Sequence, residues 1–278
     1  DLSALQMSAP HRSTVFFIGG GNMAYAIIGG LDKKKWRVIV DEVFEAQRTK
    51  LEKDLGVETV SCCQQDLIKV SDVIVLATKP QTCKEVFDEL KKLDLTGKVI
   101  VSIMAGITMD AIAAGLGHQK VKIVRTMPNT PLLVKLGVTG VYTTDESAKK
   151  MVDELLSSTG IMVYVKTEDE LNAVTAVSGS GPAYFFAFIE ALIQAGVDVG
   201  LDAEIASKMA IQTALGAATL AKQSKDSVST LRKNVTSKGG TTEQALLSFE
   251  RSGLTKVVHD AAIACRDHGR KMSSMAKL

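Results

Sequence analysis

The sequence predicts two domains of different class: an α/β domain on a doubly wound, mostly parallel sheet over residues 13–166, and an all-helical domain over residues 167–278. Three observations carry this. Up to Lys166, short β-branched runs alternate with amphipathic segments, the pattern of parallel strands joined by helices. Those runs are near-continuously apolar, and a strand apolar on both faces needs helices over both faces. From Thr167 the apolar periodicity is helical throughout.

With 278 residues the chain is long enough to bury more than one core. Its 33 Lys+Arg and 31 Asp+Glu nearly cancel, so it presents no net basic field to nucleic acid or to an anionic membrane surface. Small molecules are the expected partners. Cys62, Cys63, Cys83 and Cys265 have neither CxxC spacing nor a nearby His cluster, so no metal site and no disulfide framework is expected. They read as reduced thiols, and a cytoplasmic location is expected. No apolar run is expected to approach the roughly 20 residues of a membrane helix. Residues 1–6, before Met7, read as an expression remnant, and the final "AKL" resembles a peroxisomal address but reads as a frayed helix end.

Taken in order, the first strand, "TVFFIG", runs into a glycine turn and a helix, "GGGNMAYAIIGGL". Gly19, Gly21 and Ala24 fit G-x-G-x-x-G/A, with Asn22 and Met23 between them. Gly19 makes the tight turn, Gly21 lets the backbone approach a pyrophosphate, and Ala24 permits close helix packing. The phosphates would lie on the helix N-terminus, so a Rossmann-like sheet binding NAD or NADP is expected. The second strand, "WRVIV", ends at Asp41, near the offset of a ribose-binding acid. Asp41 with Glu42 would take a ribose 2′-OH and repel a 2′-phosphate; the other reading is a solvated loop carboxylate, and Arg48 or Lys50 would then serve a phosphate.

The strand "DVIVLAT" leads into "ATKPQ", which sets Ala77, Lys79 and Pro80 at the carboxyl end of the sheet. "KVIVSI" continues into "SIMAGIT", with Ala105 and Gly106, and "VKIVRT" into "RTMPNTP", with Pro128 and Asn129. Broken turns on one edge describe a cofactor cleft. "GVTGVYTT" and "IMVYV" add strands that close the sheet.

The helical half opens at "TEDE", where Thr167 and Glu170 are spaced for a capping box. Helices are expected over 171–177, 182–199, 202–222, 241–252 and 254–275. "AYFFAFIEALIQAGV" and "EIASKMAIQTALGAATLA" are apolar or small around most of their circumference and must be covered on all sides. Five helices are too few for that, so a homodimer through this domain is expected. The four His (His11, His118, His259, His268) lie away from the glycine turns, so none offers itself as the base a hydroxy-acid dehydrogenase needs.

In order along the chain, "IGGGNMA", "ATKPQ", "SIMAGIT", "RTMPNTP", "VSGSGPAYFF" and "LRKNVTSKGGTTEQALLSFE" resemble the pyrroline-5-carboxylate reductase family, over Thr14 to about Arg270. Lys238 departs from it, standing where that family often has proline. A β-hydroxyacid dehydrogenase, of similar architecture, would carry a lysine where this chain has Phe185 and an asparagine near Phe188 and Ile189.

The resemblance implies reduction of the cyclic imine Δ1-pyrroline-5-carboxylate to L-proline with NADPH or NADH. A protonated imine accepts hydride at carbon, so the protein mainly has to position it and hold its carboxylate. The stretch "SKGGTT" then acquires a role: Gly239, Gly240 and Thr241 would present N–H groups at a helix start as the carboxylate site, and Thr242 would bond the ring nitrogen and relay the proton. Ser178 and Ser180 would contact the nicotinamide ribose or the substrate, or merely cap the helix that Pro182 begins. Dimers, and higher assemblies built from them, are implied too. A catalytically silent nucleotide-binding protein is the reading from another class; it would have no use for the "GGTT" turn.

Overall fold

The computed structural model describes residues 12–275, and everything below concerns those residues. His11, the segment before Met7 and the terminal "AKL" lie outside them. Strands β1 (Ser13–Ile18), β2 (Trp36–Asp41), β3 (Glu58–Val60), β4 (Val73–Leu76), β5 (Val99–Ser102), β6 (Lys122–Met127), β7 (Gly137–Tyr142) and β8 (Gly160–Tyr164) form one sheet in the order β3-β2-β1-β4-β5-β6-β7-β8. All neighbours are parallel except β6 and β7. The chain builds outward from β1 to β3, then crosses back to lay β4 on the other side of β1. That reversal is the switch point where open α/β sheets bind ligands.

Alternate residues of β1 and β2 feed two cores. Val15, Phe17, Val38 and Val40 pack under α1 (Asn22–Gly30), while Phe16, Ile18 and Ile39 pack with Phe87 and Leu90 of α4 (Cys83–Leu90) on the opposite face. Helices on both sides explain why these strands are apolar on both faces along Val15–Ile18 and Val38–Val40. The remaining helices flanking the sheet are α2 (Glu45–Leu55), α3 (Gln65–Val70), α5 (Met109–Gly115) and α6 (Glu146–Leu156). β3 is not among the expected strands: three half-exposed residues at the sheet edge carry too little apolar pattern to be read.

The chain separates into two compact units, one running up to Ser180 and resuming at Cys265, the other Gly181–Ala264. The first includes α7 (Glu170–Val174), a π-helical turn (Thr175–Gly179) and the end of α12 (Leu254–Met275). The expected capping box does not form. Glu170 accepts instead from the Lys166 N–H at 2.9 Å, and Asp169 is the N-cap. The turn expected before Pro182 is also replaced: the Ser180 N–H reaches back five residues to Thr175 O at 2.8 Å, which carries the helical path straight through "SGSG". Helix therefore runs over Glu170–Asp198, 29 residues that include an 18-residue window of mean hydropathy 1.3, long and apolar enough to cross a membrane by length and composition. That corrects the expectation that no such run exists, which came from breaking the helix at its glycines.

The second unit consists of α8 (Gly181–Asp198), α9 (Ala203–Gln223), α10 (Val228–Asn234), α11 (Thr241–Arg251) and the start of α12. Gly196 of α8 lies against Ala206 of α9, where an added Cβ would sit 3.0 Å from the alanine Cβ. Phe188 and Phe249 meet with ring centroids 6.4 Å apart. Most of the large apolar side chains remain uncovered: Phe185 is 68% exposed, Phe186 62% and Met209 56%. α10, capped by the Ser227 side chain on the Thr230 N–H, lies outside the helices expected from the sequence.

Candidate cofactor and substrate site

The glycine turn is held by backbone and needs glycine for stated reasons. Gly19 has φ +99°, its N–H donates to Asp41 O at 2.8 Å, and an added Cβ would stand 2.8 Å from Ala77 O. Around Gly21, by contrast, an added Cβ would meet nothing within 4 Å. Gly21 is the N-cap of α1 and brings no side-chain acceptor, so Asn22, Met23 and Ala24 turn the orphan N–H groups of the first helical turn toward that open space. An open approach at Gly21 over a helix N-terminus fits the pyrophosphate of a nicotinamide dinucleotide.

Asp41 and Glu42 point to opposite faces. Asp41 shares the side of Ile39 and pairs in register with Ile18, in the core beneath α4. It is 8% exposed and its Oδ1 is buried without a hydrogen-bond partner. Burial first, then the charges of Glu89 and Glu42, push its carboxyl up from 3.8 to about 6. Burial and the Asp41 charge likewise push the Cys63 thiol up to about 12. Glu42, one residue on, turns to the α1 face and accepts the Gly20 N–H at 2.9 Å.

The other turns lie at the carboxyl ends of β4, β5 and β6. Ala77 N–H donates to Ile18 O at 2.8 Å, and Lys79 is the exposed residue before the single turn that Pro80 begins. Ala105 is half-buried, and Gly106 (φ +78°) lies where a Cβ would come 2.9 Å from Met272. Pro128 and Asn129 are buried. Asn129 donates to Ser178 O at 2.9 Å and accepts the Val138 N–H at 2.9 Å, so its amide ties the β6 turn to the π-helical turn. Its role here is positioning. The Ser178 hydroxyl bonds back to Val174 O at 3.1 Å, and Ser180 Oγ lies 3.3 Å from Cys265 Sγ, so neither serine is a helix cap.

In the second unit, Gly239 (φ +72°) and the N-cap Gly240 set up α11. Two of the three donors expected for a carboxylate are used within the chain. The Gly239 N–H bonds Glu243 Oε2 at 2.7 Å, and the Gly240 N–H bonds Ser237 O at 3.0 Å. The reason is local: Glu243 in the first turn reaches back over the turn as a capping carboxylate. The exposed Thr241 and Thr242 carry the orphan N–H groups instead, and Gly240 brings no side-chain acceptor to them. Among the described residues no cluster of His, Cys, Asp and Glu has the makeup of a metal site.

Glycine turn, switch point and helical half together define a class first: a nicotinamide-nucleotide oxidoreductase with a helical dimerisation region. Residues 14–106 match the family described as NADP oxidoreductase coenzyme F420-dependent, and residues 168–272 match pyrroline-5-carboxylate reductase dimerisation. A pyrroline-5-carboxylate reductase of Pasteurella multocida is 38% identical over 94% of this chain and 98% of its own length. The chain belongs to the pyrroline-5-carboxylate reductase family. A solved structure of a Coxiella burnetii pyrroline-5-carboxylate reductase superposes with a TM-score of 0.86 at 36% identity, covering 95% of this chain and 99% of that one. One from Plasmodium falciparum, with NADP bound, gives 0.82 at 29% identity, over 94% and 100%.

Proposed function

We propose that this chain reduces Δ1-pyrroline-5-carboxylate to L-proline, the last step of proline biosynthesis, as an NAD(P)H-dependent enzyme. The observation that carries the reading is a pair of helices whose N-cap residues are glycines without a capping side chain, Gly21 and Gly240, in a chain similar to these reductases over nearly its whole length. Reduced nicotinamide, when bound, supplies the hydride. Everything else is the work of this chain's residues. The first turn of α1 holds the dinucleotide phosphates through the N–H groups of Asn22 and Met23, and Gly21 leaves room for them. Ala77, Lys79, Pro80, Ala105, Gly106, Pro128 and Asn129 form the walls along the sheet edge, and Asn129 fixes the last wall to Ser178.

On α11, the Thr241 and Thr242 N–H groups take the substrate carboxylate, helped by the positive end of the helix. The Thr242 hydroxyl bonds the ring nitrogen and relays its proton. Ser178 and Ser180 shape the turn at the start of α8 rather than donating to substrate, because their hydroxyls are engaged within the chain. We place the functional boundary at Thr167, so that the helical region 167–278 is the dimerisation and substrate domain. Its exposed Phe185, Phe186 and Met209 pack against a second copy, with the apolar run Glu170–Asp198 serving that contact rather than a membrane. The enzyme works in the cytoplasm. Expression in a bacterium deleted for its own reductase tests the reading: growth without added proline is expected, and failure to grow despite folded, dimeric protein overturns it.

A further inference from the structure

The corner after β2 holds one carboxylate that touches the glycine turn. Glu42 is 8% exposed; its Oε2 accepts the Gly20 N–H at 2.9 Å and its Oε1 accepts the Phe44 N–H at 2.9 Å. The same glycine is gripped from its other end, where Gln47 Nε2 donates to Gly20 O at 2.6 Å. A carboxylate offers about four lone-pair sites, so roughly two remain for a ligand's hydroxyl donors. Asp41 cannot substitute, because it lies on the opposite face with Ile39.

Both cations of this corner are turned elsewhere. Arg48 points Nη1 at the carbonyls of Glu42 and Val43, at 2.8 and 3.0 Å. Lys50 stands over the Tyr25 ring, 5.0 Å from its centroid. Val43 and Phe44, beside Glu42, are 69% and 72% exposed and uncharged.

Resting on the reading that this chain takes a reduced nicotinamide dinucleotide, the structure assigns Glu42 as the residue that selects NADH over NADPH. Its fixed carboxylate accepts hydrogen bonds from the adenosine ribose hydroxyls. A 2′-phosphate at the same place brings about two more negative charges and no donor, against a carboxylate that the Gly20 and Phe44 N–H groups hold in position. Of the corner's cations, Arg48 has Nη1 bound to the Glu42 and Val43 carbonyls and Lys50 stands over the Tyr25 ring.

Direct titration of NADH and NADPH into the purified protein, without imine substrate, tests this. The wild type is expected to bind NADH about tenfold or more tighter than NADPH, and Glu42→Ser to narrow or reverse that ratio by about tenfold. Glu42→Gln, which keeps an acceptor but not the charge, should narrow the ratio while retaining NADH binding, and Asp41→Asn should leave the ratio within about twofold. As probes, 5′-ADP should displace NADH and 2′,5′-ADP should not. Equal binding of the two cofactors, a preference for NADPH, or an Asp41→Asn effect as large as that of Glu42→Ser overturns the assignment. If the Glu42 variants fail to fold, the wild-type ratio and the two ADP probes still decide it. Absence of proline formation would sink the reductase reading and leave these ratios readable; binding of neither cofactor would sink both.

Discussion

Replacing Asp41 by Asn should remove a pH-dependent cost that the fold now carries. The Asp41 carboxyl is buried at the end of β2 with its Oδ1 unpartnered, near Glu89 and Glu42, and only Arg48 offsets them. A rise from 3.8 to about 6 means that the folded chain holds this proton more tightly than the unfolded chain does. Stability from this group is therefore complete below the unfolded value and is lost as pH climbs through the folded one. At about 1.4 kcal/mol per unit, the whole loss is about 3 kcal/mol, of which about 2 kcal/mol falls between pH 4.5 and 8. Urea unfolding of wild type and Asp41→Asn, at one protein concentration and without cofactor, reads the difference directly. The stability of the variant relative to wild type should rise by about 2 kcal/mol across that pH range, whatever constant offset the amide introduces. A difference that does not change with pH would refute the account of Asp41 as a buried, unpaired acid.

Three further outcomes are expected. Thr242→Ala should lower kcat/KM with pyrroline-5-carboxylate by about 10- to 100-fold while NADH affinity stays unchanged, since a hydrogen bond to a charged group is worth about 1.5–3 kcal/mol; steady-state kinetics paired with cofactor titration separates the two. Gly19→Ala should lower stability by about 1–3 kcal/mol through its φ of +99° and the nearby Ala77 O, whereas Gly21→Ala, in open space, should spare stability and weaken dinucleotide binding. Glu168→Gln should cost about 2–3 kcal/mol, less than a fully buried pair would: Arg125, with its side chain 8% exposed, loses the negative charge of its 2.8 Å partner, whose oxygen also accepts the Met109 N–H, but Glu168 is partly exposed. Chemical denaturation at pH 7 measures it.

The strands β1, β2, β4, β5 and β6 are legible because each is covered on both faces and so carries a near-continuous apolar run. β3 was not, because its "ETV" is half-exposed and its place depends on pairing with β2. The helix over "AVSGSGPAY" was cut short because glycine and serine read as a turn, while a π-helical bond from Ser180 to Thr175 carries the path on. The cofactor turn was legible from its glycines. The split between Asp41 and Glu42 was not, because the side of a sheet reverses at each residue and the partner that fixes Glu42, the Gly20 N–H, lies 22 positions away. Gly239 and Gly240 were expected as free donors, yet Glu243 and Ser237 O occupy them; the spacing of Glu243 from the turn held that signal.

The central claim is hydride transfer to the carbon of a cyclic imine. The most direct measurement follows deuterium from nicotinamide cofactor labelled at C4 into product made from Δ1-pyrroline-5-carboxylate. L-Proline carrying one deuterium at C5 for each cofactor oxidised is the predicted result. Cofactor oxidation without labelled proline, or bound cofactor left unoxidised beside intact imine, would contradict the account.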